Sequence, residues 1–195
     1  MKIFLFLYPI REYVDACLDQ TFFLQNGYKP ERFGRLIDAR YRKRGYNIVW
    51  VLFSDQQDVT KPDLSQISEI FQIKQGDQII SCGVSFELHC SKWIYPDPKG
   101  ILSHLPDGIE ELAVGGFHQW DCVDKIARCA YDNGTPTRVD EDTTQFFFHI
   151  TSTEGQIPFI RRRSTLRKSF ARFGEHWVEL ARESRKAKPW FEQLT

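Results

Sequence analysis

The chain has 195 residues with 26 basic and 26 acidic side chains, a length that points to one domain. Zero net charge excludes a histone-like or acidic-tail role. The 16 Phe, 7 Tyr and 5 Trp within a 42% apolar composition exclude intrinsic disorder. In chain order, residues 2–7 form a run of β-suited side chains. Together with Lys2 this run looks like a miniature signal peptide, but it is too short and has no small-residue cleavage site. Residues 11–25 and 31–44 are expected as helices, parted by Gly27 and Pro30, with Gly45 ending the second. Residues 47–53 are apolar on both faces, as in a strand covered on both sides. Shorter units follow: a strand over 77–81, a helix or turn over 99–105, a strand over 111–115, a helix over 122–133 stopped by Gly134, and a strand entered at 137–139. Beyond about Thr144, residues 146–150 and 156–160 pattern as a hairpin with Gly155 in its turn. A helix then begins near Ser164, with Leu166, Phe170, Phe173, Trp177 and Leu180 on one face.

Alternating strands and helices imply an α/β fold: three layers, a mostly parallel sheet flanked by helices, with a C-terminal hairpin and helix extension. The expected division is a body over 1–155 and a basic extension over 156–195. The extension carries ten Lys/Arg against four Asp/Glu, so its net charge of +6 is balanced by −6 on the body. Five cysteines, odd in number and without an export signal, read as reduced thiols in a cytoplasmic protein. No run reaches the roughly 20 apolar residues of a membrane helix, so no membrane association is expected. In parallel α/β sheets ligands sit at the carboxyl ends of strands, which draws attention to Tyr8, Ser54, Cys82, the segment 116–121 and the segment 140–142.

One stretch is more specific. It reads Leu102-x-x-Leu105, Gly108-Ile109-x-x-Leu112-x-Val114-x-Gly116, five residues, Cys122-Val123-x-x-x-Ala127-x-x-Ala130-x-x-x-Gly134, then Val139-x-x-Asp142. This resembles the isochorismatase-like, or cysteine hydrolase, superfamily, in which a strand ending in glycine is followed by a nucleophilic cysteine opening a helix. Upstream, Arg42, Gly45 and the strand after it are similar to the family pattern, and Asp77-x-Ile79-Ile80 resembles its next strand; coverage is roughly residues 40–144. The resemblance implies Cys122 as nucleophile. A thiol in the first turn of a helix sees unpaired N–H groups and the positive end of the dipole, which favour thiolate, while Asp121 is both a good N-cap and an opposing negative charge.

The resemblance also implies an aspartate base at the end of the first strand and a lysine at the end of a later one. Here the first strand ends in Tyr8-Pro9, and Cys82 stands at the lysine position. The leading expectation is therefore a divergent member lacking the standard Asp-Lys-Cys hydrolase activity. It would keep a small-molecule pocket lined by Tyr8, Cys82, Gly116, Phe117, His118 and Trp120, or an assembly role as a homo-oligomer. A second is an active hydrolase of C–N bonds, with Glu12 or Asp15 as base beside Cys122 and Lys92 replacing the lost lysine. A third is nucleic-acid association or assembly through Arg161, Arg162, Arg163, Arg167 and Lys168 on the C-terminal helix. No cofactor is expected. Cys82 and Cys122 with His89, Cys90 and His118 offer zinc or redox chemistry but lack a zinc spacing, and Asp140-Glu141-Asp142 offers a cation site that the resemblance reads as structural.

Overall fold

The computed structural model describes residues 1–18, 30–54, 63–119, 121–145, 183 and 185–193. Among them lie strands β1 (Lys2–Leu7), β2 (Asn47–Leu52), β3 (Gln78–Ser81), β4 (Glu111–Phe117) and β5 (Thr137–Gln145), and helices α1 (Arg11–Leu18), α2 (Phe33–Arg40), α3 (Phe86–Lys92), α4 (Pro98–Leu102) and α5 (Cys122–Asp132). The strands pair in parallel in the order β3-β2-β1-β4-β5. The chain crosses from one half of the sheet to the other between β3 and β4, which leaves a switch point between the neighbouring β1 and β4, where such sheets open a crevice at their carboxyl edge. β1 and β2 are buried along nearly their whole length, which is why both read as unbroken apolar runs. An aromatic core fills one side of the sheet: Phe6 lies within 6.2 Å, centroid to centroid, of Phe33, Trp50, Phe71 and Phe117.

The structure departs from the sequence expectations at definite places. The helix expected over 31–44 is interrupted at Tyr41, leaving α2 and a 3-10 turn, Arg42–Arg44. The interruption follows from the tyrosine itself, whose ring stacks on Phe4 at 3.9 Å and whose hydroxyl donates to Asp140 Oδ2 at 2.7 Å. Gly45 closes this turn at φ 74°, as the sequence suggested. Helix α3 was not foreseen; Ser85 caps it by accepting from the Leu88 N–H, and its seven residues are too few to show a periodic stripe. Helix α5 starts at Cys122 and stops just before Gly134, within one residue of expectation. The continuation of the first helix to residue 25, the 146–160 hairpin and the helix from Ser164 lie outside the described residues.

Residues 140–142, expected as a loop after a strand, belong to β5, which resumes pairing with β4 after an irregularity between Val114 and Gly116. Their carboxylates are taken by protein groups: Arg40 bridges Asp140 and Asp142, and Glu141 pairs with Arg185. Each of these carboxylates has a protein cation as its partner, in keeping with the structural role that the resemblance implies.

Asp77, just ahead of β3, is a further carboxylate whose side chain is buried. Burial alone would raise its pKa, but hydrogen bonds from Arg42, the Lys74 N–H and Trp50 Nε1 outweigh burial and hold it below the ordinary carboxylate range. A depressed native pKa contributes stability that is present above the unfolded value of about 4 and lost as pH falls through the native one. Urea titrations should therefore show the wild type losing stability below about pH 4. Asp77→Asn should be weaker by about 2–4 kcal/mol at pH 7 and flatter on acidification. Equal acid sensitivity of the two proteins would contradict this assignment.

Candidate functional site at the carboxyl edge

Three side chains named from the sequence meet where the carboxyl ends of β1, β3 and β4 converge. Tyr8 follows β1, Cys82 follows β3, and Cys122 opens α5 after the turn that leaves β4; all three are buried. Tyr8 has φ 58°, the left-handed region that bulky residues rarely adopt, so the chain turns sharply as it leaves the strand. Its ring stacks on Phe53 at 4.1 Å. Burial raises its phenol well above the ordinary value, with the Cys122 and Cys82 thiols adding to the effect, so it remains protonated. The phenol lies beside the Cys122 thiol, close enough for each group to influence the other.

Burial is also the main influence on Cys122, followed by the negative charge of Asp121. Lys125 and the neighbouring Tyr8 hydroxyl pull the other way, and the net result is a thiol pushed up to about 12. The helix-terminus argument for a thiolate is thus outweighed. Cys122 Sγ donates weakly to Asp121 Oδ2 at 3.9 Å, while Asp121 Oδ1 pairs with Lys125 at 2.7 Å. Asp121 stands at the N-cap of α5 but makes no side-chain cap hydrogen bond, because its carboxylate turns to the cysteine and the lysine. Lys125 also sits 3.4 Å above the Tyr95 ring, on the loop after α3. Cys82 donates to the Val84 carbonyl at 3.2 Å, and burial raises its thiol too.

The remaining candidates are placed as follows. Phe117 and His118 are buried beside Tyr13, at ring distances of 5.4 and 4.8 Å, and the peptide between them is cis. Gly116 lies inside β4, against the Leu7 backbone of β1. Glu12 and Asp15 are exposed on α1. Glu12 acts on Cys90, whose thiol is raised mainly by burial and secondarily by that charge. Lys92 is exposed at the end of α3. Trp120, Arg161, Arg162, Arg163, Arg167 and Lys168 lie outside the described residues. Among the described residues no group of three or more His, Cys, Asp or Glu side chains is placed to hold a metal ion. Sequence reasoning missed Tyr13, which the Ile10–Tyr13–Val14 spacing on α1 could have disclosed as an inward face. It also missed the turning of Asp121 toward Lys125, for which an i,i+4 acid–base pair was the available signal.

No family model and no curated protein matches the sequence. Solved structures do match. An N-carbamoylsarcosine amidase from Thermoplasma acidophilum is similar over 89% of this chain and 93% of its own, with a TM-score of 0.52 and 16% identity. An isochorismatase family protein from Burkholderia thailandensis is similar over 93% of this chain and 95% of its own, with a TM-score of 0.51 and 18% identity. A further isochorismatase family protein covers 100% and 98% of the two chains, with a TM-score of 0.51 and 14% identity. The chain therefore has the isochorismatase-like α/β fold, with a parallel sheet and flanking helices. Among the described residues no helix is long and apolar enough to cross a membrane.

Proposed function

We propose that this chain is a divergent member of the isochorismatase-like superfamily that has given up the standard Asp-Lys-Cys hydrolase apparatus and serves to bind a small molecule at its carboxyl edge. The observation that carries this reading is the company of Cys122: a phenol and a second thiol stand where the resemblance calls for a carboxylate and an ammonium. A cysteine that attacks an amide must lose its proton and return one to the departing nitrogen, a service worth roughly 10²–10⁴-fold. The Tyr8 phenol is protonated and raised further by its surroundings, so it cannot accept the proton. Glu12 and Asp15 are exposed on α1 and are not among the main influences on the Cys122 thiol. Tyr8, Tyr13, Phe53 and His118 form a buried aromatic cluster around the Cys122 end of the sheet.

The test is ammonia release from a panel of primary amides and N-carbamoyl amines, chosen because one similarly folded protein is an N-carbamoylsarcosine amidase. The wild-type protein and Cys122→Ala should release ammonia at the same background rate. Release by the wild type that Cys122→Ala abolishes would overturn the proposal in favour of an active cysteine hydrolase with substituted partners.

A further inference from the structure

The C-terminal end of the chain is tied to the Cys122 turn by two separate routes. The first is interior. Arg185, fully buried, donates through Nη2 to Glu141 Oε1 at 2.5 Å. The same oxygen accepts from Gln119 Nε2 at 2.6 Å, and Gln119 Oε1 accepts from Thr144 Oγ1 at 2.8 Å. Gln119 is itself fully buried and stands three residues before Cys122, in the turn whose His118 carbonyl accepts from the N–H groups of Asp121 and Val123. The second route runs along α5: Trp190 Nε1 donates to Asp124 Oδ1 at 2.7 Å, and Lys188 pairs with the same carboxylate, two residues after Cys122. The segment is seated by the Val139 N–H, which donates to the Trp190 carbonyl at 2.7 Å along the outer edge of β5.

We propose that Arg185 is a positioning residue for Cys122, and that the C-terminal segment is a clasp that holds Gln119 and the first turn of α5, and with them the thiol, in their buried places. Glu141 is buried and must keep a cation to remain ionised and in place. Without Arg185 the carboxylate loses a cation in direct contact with it, and the acceptor that fixes the Gln119 side chain is no longer held in place. Gln119 and the start of α5 then loosen while the strands beneath them remain paired. This extends the charge division seen in the sequence, since a cation of the basic C-terminal region neutralises an acid of the body. The inference rests on the reading of Cys122 as the centre of the carboxyl-edge site.

The test uses the full chain with excess iodoacetamide at pH 8, following Cys122 and Cys82 separately by peptide mass. Cys82 is a fair internal reference, because its sulfur bonds to Val84 and its N–H to Leu52, away from the C-terminal segment. Arg185→Met should speed labelling of Cys122 by about tenfold or more while leaving Cys82 within about twofold of wild type, as local opening requires. Arg185→Lys, which keeps the charge, should recover part of the protection. If Arg185→Met does not accumulate as folded protein, Trp190→Phe, which removes only the N–H to Asp124, should raise the Cys122 to Cys82 ratio by about threefold. Parallel acceleration of both thiols would show a merely global role and overturn the proposal, as would no acceleration of either. The ratio tests the clasp, whereas ammonia release tests the function, so the two fail independently.

Discussion

Gly116→Ala is expected to destabilise the protein by about 3–5 kcal/mol, lowering Tm by about 8–16 °C. Gly116 has φ 111°, a conformation open only to glycine, and the position of an added Cβ falls 2.5 Å from the Leu7 backbone nitrogen and closer still to its carbonyl oxygen. Leu7 pairs with Gly116 in the central β1–β4 ladder, so neither backbone can move without disturbing the middle of the sheet. Two other glycines calibrate the effect. At Gly115 a Cβ would collide with the buried Thr143 hydroxyl, which is held by the Asp140 carbonyl, and press on Phe4 Cζ at 3.0 Å and the Thr143 carbonyl at 3.1 Å, but its backbone conformation suits any residue, so alanine there should cost about 2–3 kcal/mol. At Gly45, φ 74° with open space around it, the cost should be about 1 kcal/mol. Thermal denaturation of the three variants should rank them Gly116, Gly115, Gly45. A Gly116 variant no worse than the Gly45 one would mean that β4 does not leave the sheet along the described path.

The parts of the fold that the sequence discloses are those governed by local pattern. β1, β2 and β4 announce themselves as apolar runs, and α5 by its closing glycine and its inward Val123, Ile126, Ala127 and Ala130. The meeting of Tyr8, Cys82 and Cys122 was legible too, because each lies at a strand end or helix start whose spacing resembles a known arrangement. What escaped depends mostly on partners distant in the chain. Asp140, Glu141 and Asp142 look like a solvated loop until Arg40 and Arg185 arrive to neutralise them. Tyr41 looks like one more helical residue until Phe4 and Asp140 claim its ring and hydroxyl. Asp121 looks like a helix cap, and only the position of Lys125 and the sulfur shows that it caps nothing. For Tyr41 and the 140–142 carboxylates, contacts with residues distant in the chain override a sound local preference; for Asp121 a neighbouring lysine and thiol do the same at short range.

Cys122 should be the least reactive thiol that its position on a helix would advertise as reactive. At pH 8 a thiol near 12 is about one ten-thousandth ionised, against roughly a quarter for an unperturbed one. Iodoacetamide should therefore modify exposed Cys90 about a hundred to a thousand times faster than Cys122, even though Cys90 is itself somewhat raised. The neighbours supply the sharper test, because Asp121 and Lys125 act on the sulfur with opposite signs. Removing the negative charge with Asp121→Asn should lower the thiol pKa and speed labelling by about tenfold. That is the order expected for a charge about 4 Å away in a partly screened site. Lys125→Met should slow labelling by a similar factor, and the double variant should return near wild type, since the charges then leave together. Peptide-resolved rates between pH 7 and 10 would separate a changed pKa, which moves the profile along the pH axis, from changed access, which scales it. Slower labelling in Asp121→Asn would have one physical meaning: that the carboxylate accepts the thiol proton. Cys122 would then possess a base on its own helix, and the case for lost catalysis would fall with it.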